Sequence, residues 1–202
     1  LFRSPKNLTI IHNTPAILEE LVITDYNNKV KNKQNDITIT YVGGLSEKRF
    51  VKSAIEVIKD IPNVTFNIAG MGKLTEYVQN MSIKYKNINY YGMIEYKDAL
   101  SLYSKTDLMI AMYNPEVPNY KYSAPNKVYE AMMLGKPIIV ARNTGTDKIV
   151  EENKMGFVIN YSEKEFKNLL LTIINQPTIL NGLRINAKKA YEYYSWKVMK
   201  KR

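Results

Sequence analysis

The amino-acid sequence predicts an α/β protein: a three-layer α/β/α, Rossmann-like domain built on a mostly parallel, six-stranded sheet. Three observations lead there. Apolar, β-rich runs alternate with helical patterns from about residue 37 onward. The connections between them are short, which suits crossovers that return each strand to the same sheet. Runs such as Pro137-Ile138-Ile139-Val140 are apolar on both sides, as a sheet covered on both faces requires. Right-handed crossovers then wind the domain twice around the sheet.

Taken in order, residues 37–42 read as a buried strand, and Gly43-Gly44 turns the chain. Phe50, Ala54, Val57 and Ile58 recur at helical spacing. Residues 64–69 form a second strand closed by Gly70-Met71-Gly72, and Leu74, Tyr77, Val78 and Met81 make another helical stripe. A short strand at 88–91 ends at Gly92, a short helix spans 96–103, and a strand follows at 108–112. Residues 113–124 make a long loop rich in Pro and Tyr. A helix over 127–134 stops at Gly135, as a C-terminal glycine would stop it. A strand at 137–141, a helix at 147–152 and a last strand at 157–159 follow, and from Glu163 the chain is helical with a break near Pro177. Residues 1–36 read as a lead-in, with one short strand at 8–12 and then a polar linker.

A length of 202 residues suits one domain with a sizeable core, and a hydrophobic share of 45% is ordinary for a globular chain. No apolar run reaches the roughly 18 residues of a spanning helix. The first residues, Leu1-Phe2-Arg3-Ser4-Pro5-Lys6, lack the apolar stretch of a signal peptide and do not begin with Met. Lys200-Lys201-Arg202 close the chain inside a helical pattern, so the expectation is a piece of a longer protein. Cysteine is absent, which excludes disulfides and thiolate metal sites. The net charge of +10 attracts phosphates or acidic lipids, but the lysines are scattered rather than clustered. Lys, Asn, Ile and Tyr are abundant together, a pattern of codon bias, so no nucleic-acid role is expected. The dense cluster from Lys197 to Arg202 reads as a solvated helix end.

In such a sheet ligands bind beyond the carboxyl ends of the strands. Those ends carry Gly43-Gly44-Leu45-Ser46, Gly70-Met71-Gly72, Gly92-Met93 and the 113–124 loop. Each glycine turn alone serves equally well as a tight turn; together they open on one edge. The most informative segment runs Ser123-Ala124-Pro125-Asn126-Lys127-Val128-Tyr129-Glu130-Ala131-Met132-Met133-Leu134-Gly135-Lys136-Pro137. Proline opening a helix would leave the amides of Asn126 and Lys127 at the positive end of the dipole, an anion site to which Lys127 adds a full charge. Glu130, one turn in, serves either as a dipole carboxylate or as an acceptor for ribose hydroxyls. His12 reads as a linker residue rather than as a base or ligand. No Gly-x-Gly-x-x-Gly follows the first strand, Gly72-Lys73 lacks the flanking residues of a P-loop, and no Asp-x-Asp is present.

The order strand, long loop, Pro-Asn-Lys-x-x-Glu-Ala-Met-x-x-Gly-Lys-Pro, strand resembles the donor-site signature of the group-1 (family 4) retaining glycosyltransferases of the GT-B fold. Tyr41 to Arg49 is similar to the phosphate loop that opens their C-terminal, donor-binding domain. Asn67 to Gly72 resembles their second glycine turn. Asn89 to Ile94, followed by Leu100, Tyr103 and Thr106-Asp107-Leu108, resembles the segment bracketing the nucleobase. The resemblance covers about residues 8–160.

The resemblance implies a nucleoside-diphosphate sugar, such as a UDP-sugar, as donor, and a glycan or lipid-linked glycan as acceptor. Glu130 would bind the ribose, and Arg49 and Lys127 would neutralise the departing diphosphate. The backbone around Gly92-Met93 would contact the base, Gly43, Gly44 and Gly70 would line the crevice, and Ser123, Pro125 and Asn126 would sit beside the phosphates. The loop ending at Tyr122 would face the sugar. No metal or other cofactor is expected. Three positions depart from the family pattern: Tyr122 replaces the first Glu of its Glu-x7-Glu motif, Gly44 a basic residue, and Phe50 a glycine. The resemblance further implies an interdomain connection at 1–36, the donor domain at 37–187, and a helix at 188–202 crossing back to an acceptor-binding half that this chain lacks. The chain alone would then bind nucleotide without transferring sugar. The setting implied is surface-polysaccharide assembly in the cytoplasm, with peripheral contact at the inner face of the plasma membrane. Two alternatives stay open: a degenerate, non-catalytic nucleotide-binding module, favoured by Tyr122 and Gly44, and a nucleotide-sugar 2-epimerase-like half, whose catalytic carboxylates and histidines have no counterparts here. Trp196 reads equally as a core residue or as one exposed for a missing partner.

Overall fold

The computed structural model describes residues 12, 14, 15, 36–123 and 125–201. The strand expected at 8–12 and most of the lead-in lie outside the described residues. Strands β1 (Ile37–Val42), β2 (Val64–Ala69), β3 (Ile88–Tyr90), β4 (Leu108–Ala111), β5 (Ile138–Ala141) and β6 (Gly156–Ile159) form one six-stranded sheet in the order β3-β2-β1-β4-β5-β6. Every pairing is parallel, with Ile37 opposite Val64 and Ile39 opposite Leu108 on the two sides of β1. The order runs outward from β1 to β3 and restarts beside β1 at β4, which makes β1 and β4 the switch point of the sheet.

The helices are α1 (Val51–Ile58), α2 (Thr75–Lys84), α3 (Tyr96–Ser104), α4 (Asn126–Leu134), α5 (Asp147–Glu152), α6 (Glu163–Asn175), α7 (Ile179–Tyr194) and α8 (Trp196–Met199). Strand residues alternate between two cores, because successive side chains on a strand point to opposite faces. Leu108 and Ile110 join the core under α1, α2 and α6. Met109, Ala111, Ile138 and Val140 join the one under α3, α4, α5 and α7. That is the three-layer arrangement that apolar-on-both-sides strands demand.

Local chemistry sets the helix ends. Ser162 caps α6 by accepting from the Glu165 amide at 3.4 Å, a Ser-x-x-Glu capping pattern. Helix α4 ends on Gly135 in the left-handed region (φ 60), and the Lys136 amide returns to the Ala131 carbonyl at 2.8 Å. The Lys136 side chain is buried, and its Nζ donates to the carbonyls of Ser104 (2.6 Å) and Thr106 (3.0 Å) at the end of α3. Lys136→Ala leaves those carbonyls short of a donor and opens a void, so it is expected to cost about 2 kcal/mol, measured as the shift in a urea unfolding midpoint.

Some boundaries differ from the sequence expectation. Phe50 does not open a helix but sits alone at φ 58 between a 3-10 turn, Glu47–Arg49, and α1. Helix α7 runs unbroken through residue 188, and the chain bends at Ser195. Trp196, at the start of α8, is 41% exposed. His12 packs on both α4 and α7, with Nδ1 2.8 Å from the Tyr129 hydroxyl and its ring edge-on to Tyr194.

Candidate functional site

The crevice beyond the carboxyl ends of β1 and β4 is where a sheet of this order receives a ligand. Its floor is the turn after β1. Tyr41, 1% exposed, donates its hydroxyl to the Gly44 carbonyl at 2.7 Å and so ties the turn to the strand. The 3-10 turn that carries Arg49 is anchored behind by Phe50, whose N–H donates to the Tyr161 hydroxyl at 2.8 Å and whose ring meets that of Tyr161 edge-on. The Arg49 guanidinium carbon lies 5.4 Å from the centre of the Tyr113 ring, and the neighbouring Tyr41 and Tyr120 favour its charged form. A Cβ at Gly44 would stand 3.9 Å from that guanidinium, so the guanidinium fills space beside a missing side chain.

Lys127 enters from the opposite wall, on the first turn of α4. Its Nζ lies 5.6 Å from the centre of the Tyr41 ring and would be 3.0 Å from a Cβ on Gly43, where φ is 152°. Any side chain at Gly43 would therefore push the ammonium away as well as strain the backbone. Burial pushes the Lys127 pKa down; the nearby Glu130 charge opposes that shift and Arg49 reinforces it. Among the described residues no carboxylate forms an ion pair with Arg49 or Lys127.

Glu130, one turn deeper on α4, is 6% exposed. Burial raises its pKa, while the Lys127 charge and the nearby Tyr96 hydroxyl hold it down. The cluster thus has two partly desolvated cations over a glycine floor and a buried carboxylate beside them. It can neutralise a polyanion and accept hydrogen bonds from neutral hydroxyls attached to it.

The structure brings Gly43, Gly44, Arg49, Lys127 and Glu130 together. It leaves the start of α4 open: Asn126 is exposed and Pro125 half-buried. Pro125 itself is extended (ψ 138) and caps the helix from one residue ahead rather than forming its first turn. Gly92 (φ 68) and Met93, 77% exposed, lie on the turn after β3. Gly70 has a packing reason of its own, since a Cβ there would fall 1.9 Å from the Gly43 carbonyl oxygen. Ser123 turns its hydroxyl to the Tyr120 carbonyl, and the Gly145 turn holds that stretch by donating to the same carbonyl at 3.0 Å. Tyr122, expected at the donor sugar, is 88% exposed and follows the 3-10 turn Pro118–Lys121, which places Tyr120 against Tyr113.

Sequence reasoning missed the placement of Tyr41, Tyr113 and Tyr120 near Arg49. Tyr41 alternates with Ile37 and Ile39 and so reads as core; nothing local marks the others. Among the described residues no group of three or more His, Cys, Asp or Glu could hold a metal, and no helix is long and apolar enough to cross a membrane.

Comparison with known proteins identifies the family and the fold. A 135-residue stretch is 23% identical to Spore coat protein SA of Bacillus subtilis (strain 168), covering 60% of this chain and 34% of that one. A 60-residue stretch is 37% identical to the alpha-1,3/1,6-mannosyltransferase ALG2 of Dictyostelium discoideum, covering 30% of this chain and 14% of that one. The chain therefore spans about a third or less of the length of these relatives. Two solved structures share the fold: WaaG, a glycosyltransferase involved in lipopolysaccharide biosynthesis (TM-score 0.68, 17% identity, 98% of this chain and 56% of that one), and Anabaena Alr3699/HepE in complex with UDP-glucose (0.66, 17%, 83% and 47%). The model of the family described as glycosyl transferases group 1 matches residues 22–190. With a family match over most of its length, the chain belongs to the group 1 glycosyl transferases.

Proposed function

We propose that this chain is the donor-binding half of a retaining glycosyltransferase that moves a sugar from a nucleoside-diphosphate sugar to a glycan or lipid-linked glycan. The observation that carries the reading is the pair Arg49 and Lys127: two cations withdrawn from solvent, with no described carboxylate paired to either, beside a buried glutamate. Holding such charges together costs stability unless an anion joins them. A diphosphate supplies that anion, and Glu130 then meets the ribose hydroxyls. The UDP-glucose held by the HepE protein, which has this fold, supports the choice of ligand.

The chemistry follows from where charge develops. Cleaving the bond between the sugar and the diphosphate leaves negative charge on the leaving group. Arg49, Lys127 and the leading amides of α4 are aimed where that charge grows, so the step proceeds without a metal. The acceptor comes from a second half of the enzyme, and this chain by itself binds nucleotide without turnover. Surface-glycan assembly on the cytoplasmic side of a membrane is the proposed setting, which the WaaG likeness supports.

Titration calorimetry with UDP and GDP tests the reading. Binding of one of them is expected, weakened about tenfold in Glu130→Ala by loss of hydrogen bonds to the ribose. A chain that binds neither nucleotide favours instead a degenerate module, the reading to which the exposed Tyr122 points.

A further inference from the structure

One buried side chain holds the Gly43-Gly44 floor of the crevice. Tyr41, on β1 and 1% exposed, donates its hydroxyl to the Gly44 carbonyl at 2.7 Å. That hydroxyl would lie 3.2 Å from a Cβ on Gly43, and the Lys127 Nζ 3.0 Å from the same point. The ammonium also stands 5.6 Å from the centre of the Tyr41 ring. Tyrosine, glycine turn and ammonium are thus packed as one unit. On either side of Gly44 the backbone is committed: the Gly43 amide donates to Ala69 and the Leu45 amide to Met71, each at 2.9 Å. Gly44 between them is exposed, and among the described residues its amide has no acceptor.

We propose that Tyr41 is a positioning residue for the phosphates, its hydroxyl holding the Gly44 carbonyl so that the Gly44 amide is free to donate to the anion; this rests on the donor-site reading above. Two glycines in succession have more backbone freedom than other residues. An unheld turn rotates its peptide units, and a carbonyl oxygen turned towards a diphosphate repels it. A phenol donating to that oxygen satisfies the carbonyl and stops the rotation before the ligand arrives. The amide is then in place, and binding needs no reorganisation of the turn. The ring has a second, separable task. Its face attracts the Lys127 ammonium and keeps that side chain, which comes from α4, against the turn after β1. Phenylalanine at this position keeps the second task and loses the first, so Tyr41→Phe isolates the hydroxyl.

Three readouts on the 202-residue chain test this. The first is the ratio of affinities for a nucleoside diphosphate and its nucleoside: UDP against uridine, with GDP against guanosine in parallel. Calorimetry gives the diphosphate value, and displacement of the diphosphate gives the nucleoside value. Tyr41→Phe is expected to weaken diphosphate binding about threefold to tenfold, the worth of one hydrogen bond, with nucleoside binding unchanged. Tyr77→Phe, which loses a tyrosine hydrogen bond to Glu56 between α2 and α1, leaves the ratio as it was. The second is amide hydrogen exchange. In Tyr41→Phe the Gly43 and Leu45 amides exchange about threefold to tenfold faster, while the Phe66 amide, which donates to Asn87 within the sheet, keeps its rate. The third needs no variant: in the parent chain the diphosphate, and not the nucleoside, shifts the Gly44 amide resonance. A thermal melt confirms that each variant is folded. An unchanged ratio in Tyr41→Phe overturns the inference and leaves the donor site standing; if the turn amides then exchange faster, the hydroxyl is merely structural. A Gly44 amide that ignores the bound diphosphate overturns it in the parent chain, whether or not the variant folds. Binding of neither UDP nor GDP by the parent chain overturns the donor-site reading and this inference with it.

Discussion

Lys127→Met is expected to weaken UDP binding by roughly 30- to 150-fold, about 2–3 kcal/mol, while leaving the melting temperature unchanged or slightly higher. The two effects have one cause. The Lys127 ammonium is drawn out of water between the Tyr41 ring and the Gly43 backbone, and no described carboxylate pairs with it. Burial, reinforced by Arg49, lowers its pKa below the ordinary 10.5, so folding disfavours its charged form. The sign follows from linkage. Between the lowered folded value and the ordinary unfolded one the unfolded chain binds more protons, so this group's penalty is full at lower pH and fades as pH rises through that window. Methionine keeps the stem and removes the penalty. A bound diphosphate reverses the balance, since its charge favours the protonated lysine. UDP affinity in the parent chain therefore falls as pH climbs through the lowered lysine pKa, and in Lys127→Met that alkaline limb disappears. Arg49→Ala weakens binding to a similar degree but disturbs more, because the Arg49 guanidinium also lies over the Tyr113 ring of the loop after β4. Calorimetry over a pH series, paired with thermal melts, measures both halves. Weaker binding with a matching loss of stability would mean that Lys127 is structural.

The sheet was legible because its signal is local. Apolar runs such as Ile138–Ala141 are buried on both faces, and nothing but a sheet between two helical layers makes that arrangement stable. That Lys127 and Glu130 share one side of α4 was legible for the same reason: positions three apart on a helix lie on one face. What lay beyond reach was contact between distant segments. Tyr113 and Tyr120 belong to a loop that the sequence puts at the ligand edge without saying which of its tyrosines meets Arg49, and Arg49 is placed by a 3-10 turn many residues earlier. Phe50 has a side chain that suits a helix stripe, but the packing of its ring on Tyr161 and Phe166 draws the backbone into the left-handed region.

Gly70 shows how a position can look like a ligand contact and be fixed by packing. The three turns at the carboxyl edge are laced together: the Gly43 amide donates to Ala69, the Gly70 amide to Gly92 at 2.7 Å, and the Leu45 amide to Met71. The Gly70 carbonyl accepts from the Tyr90 hydroxyl at 2.8 Å. Its φ of 128° is open to glycine and strained for other residues, and a Cβ would fall 1.9 Å from the Gly43 carbonyl oxygen and 2.8 Å from its carbon. Both obstacles are backbone, so no rotamer change relieves them. To admit a methyl group the Gly43 turn must move by more than an ångström, breaking its bond to β2 and shifting the floor under Lys127. Gly70→Ala is therefore expected to cost roughly 3–5 kcal/mol, at the upper end for a point substitution, and to abolish nucleotide binding in whatever fraction still folds. The same exchange at Gly182, inside α7 and with nothing within 4 Å of a new Cβ, is expected to stabilise the chain by about 0.5–1 kcal/mol, because alanine loses less backbone freedom than glycine in a helix. Urea unfolding of the two variants side by side gives opposite signs if the lacing of the turns, rather than the count of glycines, is what holds the crevice open; equal and small shifts would mean that the Gly43 turn yields freely and that the floor of the site is not preorganised.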